Sequence, residues 1–127
     1  MTSVQTSDRS KPAARLQPVI DALWEDRASL SAQTTGEARD AIEAALDGLD
    51  SGALRVAEPG QDGGAWVVHQ WLKKAVLLSF RIHDSTVLDG PAGGAYYDKV
   101  PLKFAGWGDA QFGEAGLRAV PGAIVRR

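Results

Sequence analysis

Gln70-Trp71-Leu72-Lys73-Lys74-Ala75-Val76-Leu77-Leu78-Ser79-Phe80-Arg81-Ile82 is the stretch on which the fold turns. Trp71, Leu72, Ala75, Val76, Ser79 and Ile82 recur at helical spacing and trace one broad face. Leu77, Leu78 and Phe80 widen that face, while Lys73 and Lys74 mark the solvated side. A helix this apolar belongs at the centre of a domain, with the other elements packed around it.

Working outward, the period changes before this helix. Leu54 to Glu58 and Trp66 to His69 are short β-prone segments flanking Pro59-Gly60-Gln61-Asp62-Gly63-Gly64, which predicts a hairpin. Further back, Thr34 lies three residues before Glu37, the spacing of a reciprocal capping box. Ala38, Ile42, Ala45, Leu46 and Leu49 form the apolar stripe of the helix so started, and Gly52 follows as a left-handed C-terminal cap. Leu16, Val19, Ile20 and Leu23 predict an earlier helix with Pro18 in its first turn. Met1 to Ala14 carry almost no hydrophobes and are expected to form a mobile tail.

On the other side, Thr86 to Leu88 reads as a strand, followed by the turn-rich Asp89-Gly90-Pro91-Ala92-Gly93-Gly94. Val100, Leu102 and Phe104 alternate with Lys99, Pro101 and Lys103, which predicts an edge strand, since Pro101 cannot donate to a ladder. Asp109 is placed to cap a short helix holding Phe112, and Leu117 to Val120 reads as a last short strand. Helices and strands do not alternate in a regular series, so the expected fold class is α+β.

Composition narrows the function classes. The 127 residues suit one domain with a modest core, and 44% aliphatic and aromatic content fits a folded chain. A net charge of −2 provides no general field for nucleic acid or an anionic membrane, and neither is expected as a partner. The absence of cysteine excludes disulfides, thiolate metal sites and a thiol nucleophile, and is compatible with a cytoplasmic protein. The longest apolar run, Ala75 to Phe80, is far below the ~18 residues that span a bilayer, and the amino terminus lacks the apolar stretch of a signal peptide.

Candidate chemistry is sparse. His69 and His83 have no acidic or histidine neighbour at ligand spacing and read as strand-end and loop residues rather than metal ligands. Ser79, His83 and Asp84 invite a triad, yet Ser79 lies inside an apolar helix instead of an exposed elbow. Gly90 to Gly94 has neither of the glycine spacings that cradle phosphates and reads as a turn. Trp24, Trp66, Trp71 and Trp107 are scattered without an interleaved basic patch, as expected of core or interface anchors. Arg118, in Leu117-Arg118-Ala119-Val120-Pro121, reads from composition alone as a surface arginine.

Three blocks carry a resemblance: Asp50-Ser51-Gly52-Ala53-Leu54-Arg55-Val56-Ala57-Glu58, the run His69 to Ile82, and Asp98-Lys99-Val100-Pro101-Leu102-Lys103-Phe104. From about Leu16 to Val125 the chain resembles the N-terminal domain of the tetrahydrodipicolinate N-succinyltransferases, trimeric acyltransferases of bacterial lysine and diaminopimelate synthesis. Met1–Ala14 and Gly90–Gly94 look particular to this sequence. The resemblance implies succinyl transfer from the cosubstrate succinyl-coenzyme A to tetrahydrodipicolinate, in a cytoplasmic homotrimer whose active sites lie between neighbouring subunits. It implies that Arg118, in the matching arginine–valine–proline segment, binds the dicarboxylate substrate. A guanidinium suits that task because it makes two parallel charge-assisted bonds to a carboxylate.

In that family the catalytic groups and the coenzyme A site lie mostly in a left-handed parallel β-helix written in hexapeptide repeats, and no such repeat occurs here. No catalytic, cofactor-binding or metal-binding residue is therefore assigned. The expected organisation is a tail over residues 1–14, an α+β domain over 15–120, and the start of a missing β-helix over 121–127. Ile124-Val125-Arg126-Arg127 reads as a cut rather than a finish. The chain alone is expected to be inactive and to be a monomer or a weak oligomer, with some apolar surface exposed. The alternatives are a stand-alone ligand- or protein-binding domain without chemistry, or a regulatory domain that senses a pathway metabolite through Arg118.

Overall fold

The computed structural model describes residues 10–127. Helix α1 spans Ser10–Glu25, α2 Glu37–Ser51 and α3 Gln70–Ile82. Between α2 and α3, β1 (Ala57–Glu58) pairs antiparallel with β2 (Val67–Val68) in the predicted hairpin, with Ala57 opposite Val68 and Glu58 opposite Val67. These elements belong to one compact unit that ends at Asp84, and Ser85–Arg127 forms a second. The second unit holds β3 (Thr86–Asp89), β4 (Ala95–Asp98) and α4 (Asp109–Ala115). The arrangement is α+β, as expected.

In the first unit α3 is the centre, packed by both α1 and α2. Ile20 of α1, Ile42 and Ala45 of α2, and Leu72, Ala75 and Leu78 of α3 are essentially inaccessible to solvent. Each buried isoleucine or leucine contributes about 1.5–3 kcal/mol relative to an exposed one. The buried stripe is Trp71, Leu72, Ala75, Leu78, Ser79 and Ile82. Val76 is half-buried and Leu77 exposed, so the working face is narrower than the sequence suggests. Lys74, expected on the solvated side, is half-buried and its Nζ donates to Asp21 Oδ1 at 2.7 Å, linking α3 to α1.

The end of α2 closes as predicted, with Gly52 in the left-handed region (φ 81°). The chain then folds back so that the Leu54 N–H donates to the Gly48 carbonyl at 2.8 Å and the Leu54 side chain is buried over Gly48. A Cβ at Gly48 would stand 2.5 Å from Leu54 Cδ1, so this close approach requires glycine. Arg39 ties the unit together. Its Nε donates to the Thr34 carbonyl at 2.7 Å, and its Nη2 to the carbonyls of Ala32 (2.9 Å) and Ile82 (2.6 Å). One guanidinium fork thus holds the loop before α2 against the end of α3.

Several expectations are corrected. Residues 10–14, assigned to the tail, are helical, and residues 1–9 lie outside the described residues. Pro18 stands in the interior of α1, not its first turn. Its missing N–H costs one helical bond, which the burial of Leu16 and Ile20 on either side offsets. The capping box at Thr34 does not form. α2 starts after Gly36, and the Thr34 hydroxyl instead accepts from the Ser31 N–H at 2.9 Å, inside a turn of its own. Asp109 does not cap α4 but is its first residue; the Gly108 N–H donates to Gln111 Oε1 at 2.9 Å in its place.

The strand reading of Val100 to Phe104 is also overturned. The partner of β3 is β4, with Val87 opposite Tyr97 and Leu88 opposite Tyr96, and Gly90–Gly94 makes the turn between them. β4 ends where Asp98 Oδ1 accepts from the Lys99 N–H at 2.8 Å. Beyond it only Leu102 pairs, in an isolated antiparallel bridge to Arg126. The alternation of Val100, Leu102 and Phe104 reflects half-burial in a turning segment, closed by Ala105 N–H to Leu102 O and Trp107 N–H to Phe104 O. Leu117 to Val120 forms no strand; the chain there is a loop.

Candidate functional site

The site candidate that sequence reading singled out, Arg118, lies in the second unit just beyond α4. The helix is seven residues long with no buried residue, so it owes its place to contacts rather than propensity. Phe112 supplies them, its ring centroid 5.2 Å from those of both Phe104 and Trp107, which are themselves 4.7 Å apart in a tilted pair. Gly116 then takes the left-handed conformation and its N–H donates to the Phe112 carbonyl at 3.0 Å, turning the chain into Leu117-Arg118.

From there the chain runs through a turn in which the Ala123 N–H donates to the Val120 carbonyl at 3.0 Å. It returns to pair with the segment before α4, with Lys103 N–H to Val125 O at 3.0 Å and Arg127 N–H to Pro101 O at 2.9 Å. Arg126 meets Asp98 at 3.0 Å. Lys99, Lys103, Arg126 and Arg127 all have partners. Arg118 is exposed, and among the described residues it is the one cation of 85–127 that takes none. An uncommitted guanidinium on a loop fastened at both ends is suited to hold an anion.

The other candidates are brought together differently from their sequence reading, or not at all. Ser79 Oγ donates to the Val76 carbonyl of its own helix at 2.6 Å, away from any triad. His83 faces the Ser79 carbonyl through Nδ1 (2.9 Å) and Glu43 Oε1 through Nε2 (2.6 Å). Glu43 lies forty residues from His83 in the chain, so local spacing carried no signal of this pair. With Arg39 Nη1 3.6 Å from the same carboxylate oxygen, the group is a structural brace between α2 and the end of α3. His69 sits at the start of α3 with Nε2 3.8 Å from Glu58 Oε1. In the glycine turn the Gly90 and Gly94 amides donate to the chain's own Gly94 and Pro91 carbonyls, so they cradle no phosphate.

Of the tryptophans, Trp71 is core, Trp107 belongs to the aromatic triangle, and Trp24 lies under the Arg27 guanidinium at 4.7 Å from its ring centroid. Trp66 is exposed on the first hairpin. No group of His, Cys, Asp and Glu able to hold a metal ion occurs among the described residues, and no described helix is long and apolar enough to cross a membrane. An open groove of about 490 Å³ between α1 and α2 was not legible in sequence. Asp26 and Glu37 stand on its lining beside Val19, Ala22 and Leu23, so its charge repels a carboxylate ligand.

The geometry therefore defines a helical module with hairpins that offers anion recognition rather than an assembled catalytic constellation. Comparison with known proteins agrees. The family model described as tetrahydrodipicolinate N-succinyltransferase N-terminal matches residues 15–82. The 2,3,4,5-tetrahydropyridine-2,6-dicarboxylate N-succinyltransferase of Paramagnetospirillum magneticum is 64% identical over 115 residues, covering 90% of this chain and 40% of the relative. The enzymes of the same name from Gluconobacter oxydans and Rhizobium rhizogenes are 62% and 57% identical, over 91% and 90% of the chain and 42% and 40% of their own lengths. The chain belongs to the tetrahydrodipicolinate N-succinyltransferase family, matches its N-terminal domain, and spans about two fifths of the length of these relatives.

Proposed function

We propose that this chain forms the substrate-side domain of a tetrahydrodipicolinate N-succinyltransferase, with Arg118 as a contact for a substrate carboxylate. The observation that carries the reading is the unpaired, exposed guanidinium of Arg118 in a chain whose relatives bear the name of an enzyme acting on a dicarboxylate. In the reaction the substrate amine attacks the thioester carbonyl of succinyl-coenzyme A. A tetrahedral oxyanion forms, the carbon–sulfur bond breaks, the amine proton passes to a base and coenzyme A leaves as the thiol. Ring opening with one water yields N-succinyl-2-amino-6-oxopimelate. Arg118 orients the ring by one carboxylate, and the base and oxyanion donors come from a β-helix domain of the longer polypeptide. The assembly is a cytoplasmic homotrimer of the lysine and diaminopimelate pathway, its sites shared between neighbouring subunits.

The test is thiol release from succinyl-coenzyme A in the presence of tetrahydrodipicolinate. The 127-residue chain alone is expected to give only background. Joined to the remaining part of the Paramagnetospirillum magneticum relative, it is expected to turn over. In that polypeptide Arg118→Ala should raise KM for the dicarboxylate by about tenfold or more, the effect of losing a charge-assisted hydrogen-bond pair. Turnover by the isolated chain, or an unchanged KM in the variant, would contradict the assignment.

A further inference from the structure

The loop that carries Arg118 has no core of its own. Leu117, Val120 and Ile124 are 37%, 63% and 80% exposed, so side-chain burial along the loop does not hold it in place. Its conformation comes from its ends. At the leading end Phe112 both anchors α4 on Phe104 and Trp107 and accepts, through its carbonyl, the Gly116 N–H that sets the exit direction. Arg118 follows two residues later. At the trailing end the Asp98 carboxylate holds the Arg126 guanidinium at 3.0 Å beside the Leu102–Arg126 bridge. Both anchors stand on the same short segment, residues 98–107. Between them Pro121 and Gly122 (φ 89°) form the centre of the Val120–Ala123 turn, where glycine alone is at ease.

We propose that Phe112 and Asp98 are positioning residues for Arg118, fixing the backbone from which its guanidinium reaches the dicarboxylate. This rests on the reading of Arg118 as the substrate contact. A guanidinium on a loop fastened at both ends gives up less freedom on binding than one on a free loop. Small displacements of such a group are costly in substrate orientation.

The experiment compares Phe112→Leu, Phe112→Tyr and Asp98→Asn with Arg118→Ala in the longer polypeptide assayed above. Phe112→Leu and Asp98→Asn should each raise KM for the dicarboxylate about tenfold, and leave KM for succinyl-coenzyme A within about twofold. Phe112→Tyr keeps the ring and should retain the parental KM. Phe112→Leu combined with Arg118→Ala should be no worse than Arg118→Ala alone, because both act through one contact. If Arg118→Ala raises KM while the other two variants do not, or if the effects multiply, the positioning role is overturned. If Arg118→Ala leaves KM unchanged, the substrate-contact reading itself fails. Amide exchange in the 127-residue chain provides a readout independent of turnover. Phe112→Leu should speed exchange at Gly116 and Asp98→Asn at Lys103 and Arg127, with α3 unaffected in both; unchanged exchange at these amides would sink the proposal.

Discussion

A single missing side chain shapes the first unit. Gly48 is interior to α2, where helix propensity favours alanine over glycine by about 1 kcal/mol. Packing argues the other way, because the buried Leu54 side chain occupies the space a Cβ would need. Forcing a methyl group into a filled core costs about 1–3 kcal/mol, so the clash outweighs the propensity. Gly48→Ala is expected to destabilise the chain, read as a lower urea midpoint with an unchanged slope. A higher midpoint would show that Leu54 moves aside at little cost. At the same scale Arg39 serves three carbonyls with one fork, a task that a lysine ammonium, being a compact point charge, cannot reproduce.

Among the elements, α1 contains a local contradiction. Pro18 is exposed in the middle of the helix, removes a hydrogen bond and crowds the preceding turn. It survives because Leu16 and Ile20 are buried against the rest of the unit. Replacing it with alanine restores the bond and leaves the buried face intact, at the price of some unfolded-state entropy. The expected net gain is about 1–2 kcal/mol, visible as a higher Tm. A fall in Tm would mean that the helix depends on the proline's rigidity.

Across the whole molecule the two units differ in what holds them. Every fully buried hydrophobic side chain among the described residues lies at or before Ile82. Residues 85–127 rely on a four-residue hairpin pairing, one aromatic triangle and an isolated bridge. Local stability follows buried apolar contact, so the second unit should open at a lower free energy than the first. Hydrogen exchange should show the amides of β3, β4 and α4 exchanging well before those of α3. Equal protection in both units would overturn that ranking.

What the sequence determined by itself is whatever depends on neighbours a few residues apart. The period of Gln70 to Ile82 placed α3 to the residue, Gly52 marked the end of α2, and the glycine-rich gap announced the first hairpin. The long strings at Asp50–Glu58 and His69–Ile82 were enough to point to the family. Tertiary structure decided the rest, because each remaining feature depends on a partner remote in the chain. Val100 to Phe104 alternates like a strand yet has only Arg126 to pair with, while Tyr96-Tyr97 found β3. Glu43 met His83, and Lys74 met Asp21, through packing that no local spacing encodes. The isolation of Arg118 belongs to this second kind: a side chain is free only when every group that could have paired with it has been placed elsewhere.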